Sequence, residues 1–136
     1  MIPSCGPRCL AMACQRLGLQ ADAAELAKLA GEEKGETSLA GLARAARRLG
    51  FRATAEAWSV EELFDHGAPL AGRTILHLGG DAAHFVLLTG LSRDAVTVAD
   101  PTGLQKAKTK FTRDEFAQAW SGKLLVLRGA PGGTTP

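Results

Sequence analysis

The 136-residue sequence predicts an α+β fold, with helices in its first half and an antiparallel sheet in its second. Up to Gly50, apolar residues recur every three to four positions, which is the spacing of amphipathic helices. After Gly50, short runs rich in Val, Ile, Leu, Thr and Phe are typical of strands. The length allows one hydrophobic core but not two. We therefore expect one domain over residues 1–128, followed by a Gly-rich flexible tail or linker over residues 129–136.

Three helices are predicted in the first half, and each of them ends at a glycine. They cover residues 7–17, 21–30 and 39–49. Pro7 suits the first turn of a helix, where the N–H that proline lacks would be unpaired. Thr37 and Ser38 precede the third helix and can cap it, because a hydroxyl oxygen at a helix start can accept from an unpaired N–H of the first turn.

The second half predicts a sheet that two short helices interrupt. The expected strands cover residues 51–58, 74–78, 84–90, 95–100, 106–111 and 124–127. Ser59 precedes Glu62 by three residues and Thr112 precedes Glu115 by three, which is the capping-box spacing of a helix start. These two helices are expected to end near Gly67 and Trp120.

Composition excludes several classes of function. The net charge of +2 is too small to indicate a nucleic-acid partner, and Arg44, Arg47 and Arg48 are assigned to the solvated face of the third helix. No stretch approaches the roughly 18–20 apolar residues of a membrane span, so direct membrane insertion is not expected. The first residues lack the charged and apolar regions of a secretory signal. A cytoplasmic location without disulfides is therefore predicted.

Cys5 is the candidate nucleophile, because it stands in S-C-G-P immediately before the first helix. Unpaired N–H groups and the dipole at a helix start favour a thiolate, and Gly6 would allow a substrate backbone to approach. A thiol that serves only packing is the alternative. Metal binding is not expected, because Cys14 lies about 180° around the helix from Cys5 and no C-x-x-C pair exists. Cys9 and Cys14 are assigned to the core or its boundary, and no metal or other cofactor is predicted.

His84 and Asp100 are predicted to meet across a β-hairpin. The strand that His84 opens is joined by residues 92–94 to the strand that ends at Asp100. Facing residue numbers around such a loop sum to roughly 186, so Asp100 faces Val86 and lies one diagonal step from His84. A carboxylate in that position fixes the tautomer of the imidazole and stabilises the imidazolium. The alternative is a surface histidine and an aspartate that caps the turn before Pro101.

Two other histidines are weaker candidates for a catalytic base. His77 lies on the neighbouring predicted strand, but no acidic residue is expected to pair with it. His66 lies at a helix end, where an imidazolium complements the helix dipole, and a structural role is predicted for it. His84 is therefore the preferred base.

In order, these segments resemble the bacteriocin-processing, or double-glycine leader, family of cysteine peptidases. The matching segments are SCGPRCLAMACQRLG, TSLAGLARAARRLGFRA, ILHLGGDAAHFVLLTGLSRDAVTVADPTG and FTRDEFAQAWSGKLLVL. Together they span nearly the whole chain, from Cys5 to about Leu127. The resemblance implies the papain-like fold, in which N-terminal helices are followed by an antiparallel sheet.

The resemblance also implies an activity and partners. A member of this family cuts a precursor after a Gly-Gly or Gly-Ala pair that ends a helical leader. On that basis Cys5 attacks the carbonyl, His84 acts as base and then acid, and Asp100 orients the imidazole. Members often form the N-terminal cytosolic domain of an ABC exporter, so an exporter is an expected partner beside the peptide substrate.

One departure from the family pattern leaves the activity open. The pattern has a glutamine several residues upstream of the nucleophile, where its amide helps hold the oxyanion, whereas Met1, Ile2, Pro3 and Ser4 precede Cys5 here. Loss of one such donor costs about 10²–10³ in kcat. A weak or inactive domain that binds leader peptides is therefore the second hypothesis. An acyltransferase or transglutaminase-like enzyme with the same three residues is the third.

Overall fold

The computed structural model describes residues 5–31, 38–79, 84–101 and 109–129. Within these ranges three helices precede an antiparallel sheet, so the α+β prediction is confirmed. The predicted tail, residues 129–136, lies outside the described residues except for Gly129. No helix in the described ranges is long and apolar enough to cross a membrane.

The three N-terminal helices form one layer. They are α1 (Cys5–Arg16), α2 (Ala23–Ala30) and α3 (Leu39–Arg48). Gly31 ends α2 in the left-handed conformation at φ +72°, which favours glycine. Ser38 caps α3 as predicted, and its hydroxyl oxygen accepts from the Gly41 N–H at 3.0 Å. Gly41 also allows α2 and α3 to touch, since a Cβ there would lie 2.3 Å from the Ala30 carbonyl oxygen.

In the described part of the chain, six antiparallel strands form a single sheet in the order β1-β6-β2-β3-β4-β5. They are β1 (Arg52–Ala57), β2 (Thr74–Leu78), β3 (His84–Leu91), β4 (Ala95–Ala99), β5 (Lys110–Thr112) and β6 (Trp120–Arg128). The connections contain α4 (Val60–His66), a 3₁₀ turn (Ala68–Leu70) and α5 (Arg113–Ala119). Both predicted capping boxes are present, at Ser59 with Glu62 and at Thr112 with Glu115.

The sheet divides the hydrophobic core expected from the length into two clusters. On one face Ile75 and Leu87 pack with the three N-terminal helices. On the other face the neighbouring Leu76 and Leu88 pack with Phe116 of α5. This alternation follows from the two-residue period of a strand. Because α1 packs on β3, the layer of helices brings the start of α1 to the start of β3.

The largest boundary differences concern the last two strands along the described part of the chain, β5 and β6. The predicted strand 106–111 is observed as Lys110–Thr112, and residues 106–108 lie outside the described ranges. The predicted strand 124–127 is too short, because β6 begins at Trp120. Its first residues include Ser121 and Gly122, which carry no strand pattern, yet Trp120 pairs with Leu78 around an irregularity in the ladder. Pairing with β2 therefore extends this strand where local propensity does not.

Helix starts also differ slightly from the predictions. The first helix begins at Cys5 rather than at Pro7, and the second begins at Ala23 rather than at Ala21. The remaining predicted ends agree with the structure to within about two residues, which is the usual uncertainty of helix and strand ends.

Candidate active site

Cys5 is the first residue of α1, and it is partly exposed. The main-chain N–H of Phe85, the second residue of β3, donates to Cys5 Sγ at 3.4 Å. Because Phe85 follows His84 directly, this contact holds the thiol beside the start of β3. The predicted position of Cys5 at a helix start is confirmed.

Gly6 makes room for the close approach of α1 to the rest of the domain. It is buried, and a Cβ on it would lie 3.2 Å from Leu42 Cδ1 and 3.4 Å from Phe85 Cδ2. The expectation that Gly6 leaves space for a substrate backbone is therefore wrong. Side chains of α3 and β3 occupy that space, because the helix start packs between them.

The predicted hairpin places Asp100 close to His84. In the β3–β4 ladder Leu87 pairs with Ala99 and Leu88 pairs with Val98, and each pair of numbers sums to 186 as expected. The register shifts by one residue nearer the turn, which leaves the end that carries Asp100 unaffected. The predicted geometry of this strand end is confirmed.

His84 and Asp100 form a hydrogen-bonded pair. His84 Nε2 lies 2.5 Å from Asp100 Oδ2. The side chain of Asp100 is 9% exposed and that of His84 is 28% exposed, so the carboxylate is shielded while the imidazole reaches solvent. A shielded carboxylate that accepts from one ring nitrogen holds the ring orientation and sets the tautomer.

The second nitrogen of His84 is available for proton transfer. Nδ1 has no hydrogen-bond partner within the described ranges, and the His84 side chain that carries it is partly exposed. No hydrogen bond joins it to Cys5 Sγ in this part of the chain. Catalytic hydrogen bonds of this kind often tighten only when substrate binds. The three predicted residues thus lie at adjoining ends of α1, β3 and β4.

Comparison with known families identifies the relatives of this domain. A family model described as the Peptidase C39 family matches residues 2–131. The chain belongs to the Peptidase C39 family. This C39 domain is similar to the lactococcin-G-processing and transport ATP-binding protein LagD of Lactococcus lactis subsp. lactis, with 30% identity over 123 residues. The match covers 89% of this chain and 17% of LagD, so the chain spans less than a fifth of that relative.

Two solved structures share the architecture of this C39 domain. The peptidase domain of Streptococcus ComA, a bifunctional ABC transporter of a quorum-sensing pathway, has a TM-score of 0.79 and 27% identity, with 94% of this chain and 91% of that chain covered. A double-glycine motif protease from an AMS/PCAT transporter, solved with its leader peptide, has a TM-score of 0.76 and 21% identity, with coverages of 96% and 87%. The predicted papain-like peptidase fold and the predicted family are confirmed.

The two remaining cysteines of the C39 domain are core residues, as predicted. Cys9 and Cys14 are both 0% exposed. Burial raises the pKa of Cys9 well above its usual value, and the nearby charges of Cys5 and Asp100 raise it further. Burial also raises the pKa of Cys14 to about 11. Among the described residues no group of three or more His, Cys, Asp or Glu side chains could hold a metal ion.

Alkylation at pH 8 is expected to label Cys5 alone. Cys9 and Cys14 are buried and remain protonated at this pH, whereas Cys5 is partly exposed. Treatment of the folded domain with iodoacetamide, followed by peptide mapping, should show one adduct on Cys5. The same treatment in guanidinium chloride serves as the control and should label all three cysteines. Equal labelling of Cys9 and Cys5 in the folded protein would contradict this assignment.

The other two histidines differ from His84 in their surroundings. His66 is exposed in the last turn of α4, so its predicted position at a helix end is confirmed. His77 pairs with a residue that the sequence analysis did not identify, since its Nδ1 lies 2.8 Å from Ser121 Oγ. These two residues are 44 positions apart and meet only because β6 lies beside β2. No local pattern could have predicted this contact.

Proposed function

We propose that this C39 domain is a thiol peptidase that cleaves a precursor peptide after a Gly-Gly or Gly-Ala pair at the end of a helical leader. Cys5 is the proposed nucleophile, His84 the base and acid, and Asp100 the residue that orients His84. The observation that carries the proposal is a pair of contacts at the start of β3. His84 Nε2 lies 2.5 Å from Asp100 Oδ2, and the main-chain N–H of the next residue, Phe85, donates to Cys5 Sγ. One short stretch of β3 thereby contacts both other members of the triad.

The proposed reaction uses the open nitrogen of His84. Nδ1 takes the proton of the Cys5 thiol while Sγ attacks the carbonyl carbon, which gives a tetrahedral oxyanion. The C–N bond then breaks, and His84 returns the proton to the leaving amine, so a thioester joins the leader to Cys5. Water loses a proton to His84 and attacks the thioester. The C–S bond breaks, the leader leaves as a carboxylic acid, and the thiol regains its proton.

The oxyanion would be stabilised by main-chain groups at the start of α1. The first N–H groups of a helix have no partner within the helix, and they point towards its N-terminal end. The main-chain N–H of Cys5 is the proposed donor. Residues 1–4, which precede it, lie outside the described ranges. Each donor of this kind contributes about 10²–10³ in kcat.

The relatives support the substrate and the partners in this proposal. LagD is named for processing and transport of lactococcin G, and one structure of similar fold was solved with a leader peptide. We extend these properties to this chain: a leader peptide as substrate, an ABC exporter as partner and a cytoplasmic location. A peptidase domain over residues 1–128 and a linker over residues 129–136 belong to the same proposal.

A cleavage assay tests the proposed reaction. The domain is incubated with a peptide in which a helical leader of about 20 residues ends in one Gly-Gly pair and is followed by a short cargo segment, and the products are weighed by mass spectrometry. One cut directly after the second glycine is expected. A matched peptide with Val-Val in place of Gly-Gly should stay intact. An intact Gly-Gly peptide, together with Cys5 that resists alkylation, would contradict the proposal.

A further inference from the structure

A second hydrogen-bonded group lies on the sheet face that α1 covers. His77 of β2 faces Phe85 across the β2–β3 pair, and the centroids of the two rings are 5.1 Å apart. On the other side of β2, Nδ1 of His77 lies 2.8 Å from Ser121 Oγ at the start of β6. The reaction proposed above assigns no role to His77 or Ser121.

The contacts of Ser121 decide which nitrogen of His77 carries a proton. Ser121 Oγ lies 2.9 Å from the carbonyl oxygen of His77, which can only accept, and it accepts from the Lys123 N–H at 3.2 Å. The single hydroxyl proton therefore goes to the carbonyl, and Oγ accepts from Nδ1–H. The opposite assignment would place two oxygens 2.9 Å apart with no proton between them. Nδ1 thus carries the proton, and Nε2 presents a lone pair.

The acceptor nitrogen of His77 is both neutral and accessible. Burial lowers the pKa of His77, and the positive charge of Lys123 lowers it further, so the ring is uncharged at neutral pH. Nε2 has no hydrogen-bond partner within the described ranges, and His77 is partly exposed. The contacts with Phe85 and Ser121 hold the ring in place from both sides. The result is an oriented hydrogen-bond acceptor.

This acceptor lies one strand away from the proposed triad. Phe85 links the two, because its N–H donates to Cys5 Sγ and its ring contacts His77. Neighbouring strands lie about 4.8 Å apart, and an extended peptide advances about 3.3 Å per residue. A peptide that runs from Cys5 across β3 therefore reaches His77 within about three residues.

We propose that Nε2 of His77 accepts a hydrogen bond from a main-chain N–H of the peptide substrate, within about three residues of the scissile bond. This inference rests on the proposed function, because it takes a peptide as the ligand of the site. Glycine offers no side chain to hold, so a site for a Gly-Gly pair has to bind the backbone. An acceptor of fixed orientation does so without regard to the side chains around it.

The test asks whether removing one main-chain N–H from the peptide weakens binding only when His77 Nε2 is present in the protein. A series of Gly-Gly peptides is made in which one N–H within three residues of the scissile bond is replaced by an ester oxygen. The Kd of each peptide is measured by fluorescence anisotropy with the Cys5→Ala protein and with Cys5→Ala/His77→Asn. We expect one ester to raise Kd about tenfold with His77 present and less than about twofold with His77→Asn.

The substitutions are matched to the two ring nitrogens. Asparagine places an N–H near the position of Nδ1, so His77→Asn can keep the contact with Ser121 while the acceptor is lost. Glutamine places a carbonyl oxygen near the position of Nε2, so Cys5→Ala/His77→Gln should regain part of the coupling. Equal melting temperatures of the two variants will show that neither unfolds the β2–β6 contact.

The outcomes separate this inference from the proposed function. Equal ester effects with His77 and with His77→Asn at every position would overturn the inference, and so would a Cys5→Ala protein that binds no Gly-Gly peptide. Coupling at one position with no cleavage by the wild-type protein would overturn the peptidase proposal and leave the role of His77 standing. Cleavage of the Gly-Gly peptide by the wild-type protein, with ester effects that do not depend on His77, would support the peptidase proposal and overturn the role of His77.

Discussion

Replacement of Cys5 by alanine is expected to lower the rate of Gly-Gly peptide cleavage by about 10⁴- to 10⁶-fold. The sulfur of Cys5 forms the covalent bond to the substrate in the proposed reaction. No other thiol can take its place, because Cys9 and Cys14 are buried in the core. The substitution also leaves the Phe85 N–H without its sulfur partner, but the site is partly exposed and water can accept instead.

Cleavage and binding should respond to Cys5→Ala in different ways. Cleavage is followed by mass spectrometry under single-turnover conditions, and peptide affinity is followed by fluorescence anisotropy. We expect Kd to change by less than about threefold, because removal of the nucleophile affects the transition state more than the bound substrate. Cys14→Ala is the matched control, since it removes a thiol that packs in the core, and it should retain cleavage.

The leader-binding hypothesis makes a contrasting prediction. A domain that only docks leader peptides would bind equally well with Cys5 and with Cys5→Ala, and neither form would cleave. An acyltransferase would instead need Cys5 but would join the leader to an added amine rather than to water. The mass of the product therefore separates the three functions in one experiment.

The parts of the site that lie close together in sequence could be predicted from it. The pairing of His84 with Asp100 depends only on the length of one hairpin loop and on the alternation of two strands. The caps at Ser38, Ser59 and Thr112 likewise depend on residues within three positions of each other. Such features are decided by local backbone geometry, which periodicity and capping motifs describe well.

The contacts between distant segments could not be predicted in the same way. Cys5 and Phe85 are 80 residues apart, and their contact depends on how α1 packs across β3. The insertion of β6 between β1 and β2 depends on which strand edges remain open when the chain folds. Both are outcomes of tertiary packing. A hydrophobic pattern shows which face of a helix or strand is buried, but it does not show which other element packs against that face. The contact of His77 with Ser121 could not be predicted for the same reason, because the two residues are 44 positions apart.

A consequence of the strand order is that the proposed site draws on both ends of the chain. α1 supplies Cys5, the central hairpin supplies His84 and Asp100, and β6 supplies Ser121, which orients His77. Because β6 pairs with both β1 and β2, loss of the last strand would remove a central member of the sheet. Any shorter version of the domain must therefore retain residues up to Arg128 to preserve the site.

Replacement of His84 by glutamine is expected to lower the rate of Gly-Gly peptide cleavage by about 10⁴- to 10⁶-fold, as for Cys5→Ala. Glutamine can still donate an N–H to the shielded Asp100 carboxylate, so the substitution need not leave a buried charge without a partner. It lacks a nitrogen that can accept the thiol proton, and transfer to the leaving amine is lost with it. His66→Gln is the control, because His66 is exposed at the end of α4 and should be dispensable.

Added imidazole provides the sharper test of what His84 does. His84→Ala leaves a space beside Asp100 that imidazole can enter, since the side chain of His84 is partly exposed. If His84 transfers protons, imidazole should restore cleavage by His84→Ala in proportion to the concentration of its neutral form, and it should not restore cleavage by Cys5→Ala. Full activity of His84→Gln would contradict the assignment and would point to His77 as the base. The contrary outcome is that imidazole fails to restore cleavage by His84→Ala while the variant also loses its affinity for the peptide. That result would mean that His84 shapes the binding site rather than transferring protons.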